Sequence, residues 1–129
     1  MINTQPEEAK RFVDATGINT LAIAVGSAYG FYKEEPKLQI HLIGGINNVT
    51  TAALVLHGSS GIPNNQLQAA IKKGIAKINL TIEIKNIFMK SLQKEFKDSD
   101  NINLRQVFPK APSQATALVE EKLRTINFN

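Results

Sequence analysis

Two short, uninterrupted apolar runs, residues 21–25 and 52–56, constrain the fold of this chain more than any other feature of its sequence. A third predicted strand covers residues 75–80, and each of the three is followed by a segment with helical spacing. An apolar run without polar alternation is typical of a strand that is buried on both faces, as in parallel sheets. Parallel strands that alternate with helices are joined by right-handed crossovers. The pattern therefore predicts an α/β fold with three parallel strands, which are too few to close a barrel.

Cap residues mark where the predicted helices begin and end. Thr4 and Glu7 have the spacing of a capping box, and Gly17 follows the amphipathic stretch after them. Further helices are predicted over residues 38–49, 63–73, about 84–97 and 112–124. The first of these is weak, because Gly44 and Gly45 interrupt it.

The length and composition suit one ordinary folded domain, so we predict that residues 1–129 form a single domain. Its C-terminal part, about residues 97–129, is predicted as a helical tail that starts with a loop over residues 98–110. Since the chain contains no cysteine, a disulfide scaffold, a cysteine zinc finger and a thiol nucleophile are excluded.

The basic charge of the chain is moderate, +4 in all, and is concentrated between Lys72 and Lys97, where seven lysines stand against two glutamates. A nucleic-acid surface would interleave arginine and aromatic residues with that charge. The whole chain has three Arg and no Trp, so we predict a solvated helix face and no nucleic-acid partner. No apolar run approaches the roughly 20 residues that cross a bilayer, and the first ten residues lack the apolar core of a secretory signal. These observations predict a cytoplasmic protein without a membrane partner.

The residues that follow each predicted strand are of the types that bind anions. They are GSAYG at 26–30, HGSSG at 57–61 and NLTIE at 79–83. In α/β folds ligands bind at the carboxyl ends of the strands, and the N–H groups of the following helix termini attract anions. Gly58 lets the backbone approach a ligand, and Ser59 and Ser60 add hydroxyl donors. From the residues alone, two interpretations stay open: a phosphate site, or glycines and serines that only form turns and helix caps.

These motifs occur in the order and spacing of a known family. Residues 7–86 resemble the C-terminal half of the zinc-dependent class II aldolases, most closely the tagatose- and fructose-bisphosphate branch. The motifs that carry the resemblance are PEEAKRFV at 6–13, LAIAVGSAYG at 21–30, LVLHGSSGIP at 54–63 and GIAKIN at 74–79. The 28-residue spacing from Tyr29 to His57 matches as well.

The resemblance implies a partial (β/α)8, or TIM, barrel that contains the last three parallel strands with their helices and the C-terminal helical tail. The family cleaves ketose 1,6-bisphosphates reversibly to dihydroxyacetone phosphate and an aldehyde, a lyase reaction of glycolysis and carbohydrate metabolism. Its zinc ion, held by three histidines, polarises the carbonyl group of dihydroxyacetone phosphate. By position, His57 matches one zinc ligand, and Tyr29 stands where another is expected. The positions that match substrate and phosphate contacts are Gly30, Gly58, Ser59, Ser60, Asn79, Leu80, Thr81 and Ile82.

Several positions depart from the family pattern. Tyr29 replaces a zinc-binding histidine, and a phenol must lose a proton before it can bind the metal. Ile82 replaces a threonine that donates to the phosphate. The family's catalytic aspartate and another zinc-binding histidine have no counterpart here, so no catalytic residue is predicted. We therefore expect zinc to bind weakly or not at all.

These departures leave two kinds of function open. In the first, the chain is an aldolase half that is inactive alone and needs a second copy of itself or a complementary half-barrel, because its outer strands would have open edges. In the second, the chain is a non-catalytic remnant whose loops still bind a phosphate ester. No residue indicates whether the sugar is fructose or tagatose.

Overall fold

One parallel sheet organises the first part of the chain in the computed structural model, which describes residues 2–28 and 35–128. Within those ranges the strands are β1 (Thr20–Ala22), β2 (Ala53–Leu56) and β3 (Ile75–Ile78), in the spatial order β1-β2-β3. Both neighbouring pairs are parallel. The prediction of three parallel strands is therefore confirmed.

Three helices accompany this sheet in the first of two compact units, Met1–Leu80. They are α1 (Pro6–Thr16), α2 (Ile40–Val49) and α3 (Asn64–Lys72). One glycine of the pair that weakens α2, Gly45, lies where α2 contacts α1. A Cβ atom added at Gly45 would lie 3.2 Å from Cγ of Pro6, so the close approach of the two helices is favoured by glycine at this position.

The core of this unit lies around β2, the central strand. Leu54, Val55 and Leu56 follow one another along β2 and are all buried. Because successive side chains of a strand point to opposite faces, β2 is covered on both faces. This explains why its sequence is continuously apolar, as expected for a parallel strand between helices. Ile46 of α2 and Leu67 of α3 belong to the same buried cluster.

The amino-terminal cap of α1 differs from the prediction by one residue. The predicted capping box joined Thr4 to Glu7, whereas the N–H of Gln5 donates to a carboxylate oxygen of Glu8 at 3.3 Å. Thr4 is used elsewhere, because its N–H donates to the carbonyl of Ala24 and its hydroxyl accepts from the N–H of Ala24. The other end of α1 is as predicted, since Gly17 ends the helix in the left-handed conformation.

The second compact unit, Thr81–Asn129, is helical in its described residues. It contains α4 (Ile82–Asp98), α5 (Leu104–Val107) and α6 (Lys110–Ile126). The predicted loop over residues 98–110 is wrong in part, because α5 lies inside it. Asn103 caps α5, its side chain accepting from the N–H of Arg105 at 3.1 Å. None of the helices in the described part of either unit is long and apolar enough to cross a membrane.

Candidate functional site

The loops after β2 and β3 begin side by side at the carboxyl end of the sheet. Parallel strands have their carboxyl ends at the same edge, and Leu56 pairs in register with Ile78 at the end of both strands. One residue further, the N–H of Asn79 donates to the carbonyl of Leu56 at 3.0 Å, which continues the ladder beyond β3. Tyr29 and Gly30, which follow β1 in sequence, lie outside the described residues.

A side-chain contact joins the two loops. The amide nitrogen Nδ2 of Asn79 lies 3.0 Å from the ring nitrogen Nδ1 of His57, and both residues are half-buried. With the amide in this orientation Nδ2 donates to Nδ1, so the neutral ring carries its proton on Nε2. In that tautomer Nε2 is a hydrogen-bond donor and suits an oxygen ligand. Metal binding through Nε2 needs the opposite tautomer, with the amide rotated so that its oxygen accepts from Nδ1.

At Gly58, the loop after β2 lies against the backbone of Ala28, in the segment that follows β1. Gly58 has φ +62, and an added Cβ atom would lie 2.3 Å from the carbonyl oxygen of Ala28. The obstacle is backbone, which cannot rotate away as a side chain can. Only glycine is compatible with both this backbone conformation and this close approach.

The two serines of this loop are buried rather than exposed at the edge. Ser59 has no exposed surface, and its hydroxyl donates to the carbonyl of Leu56 at 3.1 Å. The carbonyl of Ser59 in turn accepts from the N–H of Ile62, which closes a tight turn before α3. Ser59 therefore supports the loop from inside, and its hydroxyl proton is used there. Ser60 is 5% exposed. The ligand roles of both serines stay predictions.

The remaining predicted contacts follow β3 in the chain. Leu80 is half-buried at the end of the first unit. Thr81 begins the second unit, where it is exposed and occupies the cap position of α4, but its side chain makes no capping hydrogen bond. Ile82 is the first residue of α4 and is half-buried. As expected from its side chain, Ile82 offers a ligand only its backbone.

The described residues do not fit a zinc site by themselves. A catalytic zinc ion takes three protein ligands, usually histidine or carboxylate. Over residues 2–28 and 35–128, no group of three or more such side chains is arranged to hold a metal ion. His57 supplies one imidazole, and the chain's other histidine, His41, is exposed on α2. No reaction step through zinc follows from this set of donors.

Sequence reasoning missed the partnership between His57 and Asn79. Both residues were singled out, one as a metal ligand and the other as a phosphate contact, but not as neighbours. The signal was available, because each residue directly follows one of two strands that are adjacent and parallel. The approach of Gly58 to Ala28 had no comparable signal, since it depends on the path of the chain after β1.

The fold and these strand-end loops define a β/α protein of the parallel-barrel type that is incomplete over the described residues. A family model, Fructose-bisphosphate aldolase class-II, matches residues 1–129. The chain therefore belongs to the class II fructose-bisphosphate aldolase family, and the resemblance seen in its sequence is confirmed.

Solved structures agree with this assignment. The YdjI aldolase from Escherichia coli K12 is similar, with 29% identity and a TM-score of 0.85 over 96% of this chain and 46% of that chain. A Coccidioides immitis protein assigned to the fructose-1,6-biphosphate aldolases has 28% identity and a TM-score of 0.88, over 98% of this chain and 44% of its own. Fructose-bisphosphate aldolase from Campylobacter jejuni shares the fold at 18% identity and a TM-score of 0.80, covering 97% of this chain and 45% of that chain. The chain thus spans slightly less than half the length of these proteins.

Proposed function

We propose that this chain binds the phosphate group of a sugar phosphate, such as dihydroxyacetone phosphate, at the loops that follow β2 and β3. The observation that carries the proposal is the construction of residues 57–61. Gly58 lies against backbone, Ser59 is bonded inside the turn, and His57 is held by Asn79. A loop fixed in this way binds a ligand without a further entropic cost of ordering. Membership of the aldolase family supports the choice of a phosphate ester.

The residues of this loop have different roles in the proposed site. The backbone around Gly58 supplies close approach, and Asn79 orients the imidazole of His57 beside it. The contact we assign to Ser60 is supported by the family resemblance at this position, whereas the hydroxyl of Ser59 donates to the carbonyl of Leu56. Support for further contacts by Gly30, Asn79, Leu80, Thr81 and Ile82 comes from the family resemblance.

The same proposal assigns no zinc-dependent cleavage to the described residues alone. A single imidazole cannot hold a catalytic zinc ion, and Tyr29 stands at the position of a second ligand. If the position of Tyr29 is a lost ligand site, Tyr29→His should raise the affinity for zinc, measured by metal content after dialysis. Tyr29→Phe is the matched control, because it removes the phenol without adding an imidazole. No gain with Tyr29→His would count against the inheritance of a metal site at position 29.

A second candidate is an aldolase half that works with a partner. Among the described strands, β1 and β3 each pair with β2 only, so each has an edge that another strand can extend. A cavity of about 620 Å³ lies between α1 and β1 and is lined in part by Phe12 and Leu21. A second copy or a complementary half-barrel would cover both features. Solution mass by light scattering distinguishes the two cases, since a monomer that binds phosphate supports the first proposal alone. For either function we propose the cytoplasm, where charged sugar phosphates are retained.

The test of phosphate binding uses Ser60→Ala with Ser113→Ala as the matched control. Both remove one hydroxyl, but Ser113 is exposed on α6 and bonds only its own helix in the described contacts. Calorimetric titration with dihydroxyacetone phosphate should show about ten-fold weaker binding for Ser60→Ala and no change for Ser113→Ala, as expected for one hydrogen bond to a charged group. Unphosphorylated dihydroxyacetone should not bind. Equal affinities of the two variants would remove Ser60 from the site.

A further inference from the structure

A glutamine of α3 bonds two backbone groups that lie 28 and 30 residues earlier in the chain. The side-chain oxygen of Gln66 accepts from the N–H of Leu38 at 2.9 Å, and its amide nitrogen donates to the carbonyl of Pro36 at 2.8 Å. Only an amide side chain provides both an acceptor and a paired N–H donor in this way. Because Pro36 and Leu38 are buried, the contacts with Gln66 replace hydrogen bonds to water.

The segment over residues 36–38 lies against the residues that follow β1. Gly26 has φ +97, and an added Cβ atom would lie 2.6 Å from the carbonyl oxygen of Lys37. One residue beyond the segment, the N–H of Gln39 donates to the carbonyl of Val25 at 2.9 Å. The backbone held by the glutamine is therefore in direct contact with the backbone at the end of β1.

The residues after β1 in turn support the loop after β2. Ala28 lies two residues beyond Gly26, and its carbonyl oxygen is the atom that an added Cβ of Gly58 would approach to 2.3 Å. Gly58 belongs to the loop over residues 57–61, and this loop leads into α3, where Gln66 lies. A closed path of contacts thus connects Gln66 with Gly58 inside the first compact unit.

We propose that Gln66 is a positioning residue for the phosphate-binding loop over residues 57–61. The inference rests on the proposed function, which assigns the phosphate to that loop. Gln66 does not touch the phosphate in this account. It holds the segment 36–38 against Gly26, which fixes the backbone on which Gly58 rests. Because a loop that is already ordered binds a ligand at a smaller entropic cost, losing the amide of Gln66 should lower the affinity.

The test replaces the amide by a side chain of similar length. Gln66→Met removes both hydrogen bonds and should weaken binding of dihydroxyacetone phosphate about three- to ten-fold in calorimetric titration, an effect comparable to the loss of one hydrogen bond. Gln66→Asn shortens the side chain by one methylene, so that its amide cannot reach both backbone groups, and should also weaken binding. Gln93→Met is the matched control, because Gln93 is exposed on α4, and should leave the affinity unchanged.

A merely structural role of Gln66 predicts a different outcome. Gln66→Met would then lower the free energy of unfolding without changing the affinity of the folded chain. Gly17→Ala provides the comparison, since Gly17 precedes β1 at the opposite end of the sheet from the loop and its substitution should destabilise the unit without changing the affinity. Backbone amide signals of Gly58 and Ala28 in NMR spectra give a second readout. Gln66→Met should shift them, and Gly17→Ala should not.

The outcomes separate this inference from the proposed function. Unchanged affinity, or unshifted signals of Gly58, in a folded Gln66→Met would overturn the inference, whereas binding by the unaltered chain would still support the proposed function. If Gln66→Met does not fold, Gln66→Asn decides, because binding as tight as that of the unaltered chain would overturn the inference. If the unaltered chain binds no dihydroxyacetone phosphate, the proposed function fails and the inference fails with it.

Discussion

The two compact units are stabilised by different means. In the unit Met1–Leu80 a continuous apolar cluster surrounds β2, with buried members from β2, β3 and the three helices and with Leu21 of β1 packed against them. In the unit Thr81–Asn129 the buried apolar cluster consists of Leu92, Val107 and Ala111, with Phe88 packed against it. Two ion pairs, Lys122–Glu83 and Lys110–Glu95, join the long helices of this second unit.

The two units should therefore differ in how much stability a single substitution removes. A large apolar cluster loses much stability when one of its members is truncated, because the cavity cannot collapse. A two-helix contact with few buried residues loses less, since its side chains are closer to water. In the second unit, charge therefore has a larger share in holding the elements together, and the two units should respond differently to the same kind of substitution.

The largest expected difference is between two leucines, one in each unit. Leu56→Ala removes a side chain with no exposed surface from β2 and should cost about 3–5 kcal/mol of unfolding free energy. Leu92→Ala acts on a residue that is 7% exposed in the smaller cluster and should cost about 1–3 kcal/mol. Denaturant unfolding measures both values. Equal costs would contradict the contrast between the two cores.

The next contrast concerns two glycines with similar backbone conformations in the first unit. Gly58 and Gly17 have φ +62 and +65, but only Gly58 has backbone within the reach of an added Cβ atom. Gly17→Ala should therefore cost about 1 kcal/mol, the strain of the left-handed conformation alone. Gly58→Ala should cost about 2–4 kcal/mol and weaken phosphate binding, because the loop must move. Similar thermal midpoints for the two variants would show that the approach of Gly58 to Ala28 is not essential.

Some of the features behind these predictions could be predicted from the sequence, and others could not. The central strand was found because β2 is buried on both faces, which leaves a continuous apolar run. Burial on both faces was also expected for β1, but the residues at both ends of β1 are exposed. The helix α5 was missed because four residues are too few for a periodic signal, and its cap, Asn103, resembles an ordinary turn residue. The shift of the α1 cap from Thr4 to Gln5 depends on a partner, Ala24, that lies twenty residues away in the chain.

The candidate site was predictable in its location but not in its internal contacts. Motifs at the strand ends identified His57, Gly58 and Asn79, because strand ends meet at one edge in this class of fold. The use of the Ser59 hydroxyl inside the turn could not be predicted from residue type, since a serine hydroxyl serves a turn or a ligand equally well. The pairing of Lys122 with Glu83 had no signal either, because it requires the register of two distant helices.

A smaller effect is expected when the contact between the two loops is removed. Asn79→Ala should cost about 1 kcal/mol, the value of one hydrogen bond to a half-buried group. It should also change the ring tautomer of His57, which nitrogen chemical shifts report directly. Asn65→Ala is the control, because Asn65 is exposed at the start of α3 and bonds the N–H of Gln66. An unchanged tautomer in Asn79→Ala would mean that the contact does not orient the ring.

The smallest expected effects come from ion pairs and again separate the two units. Asp14→Asn breaks an exposed pair with Lys10 on α1 and should cost about 0.3 kcal/mol. Glu95→Gln breaks the pair with Lys110, and Glu95 is only 19% exposed, so a cost of about 0.5–1 kcal/mol is expected. Unfolding in low and high salt measures both. A larger loss of unfolding free energy for Asp14→Asn than for Glu95→Gln would contradict the larger share of charge in the stability of the second unit.

The most direct test of the central claim is calorimetric titration of the purified chain with dihydroxyacetone phosphate in the presence of a metal chelator. Saturable binding that the chelator does not change is expected, because in the proposed site the loop over residues 57–61, rather than a metal, binds the phosphate. Binding that appears only when zinc is added would contradict the account, and so would the absence of binding under both conditions.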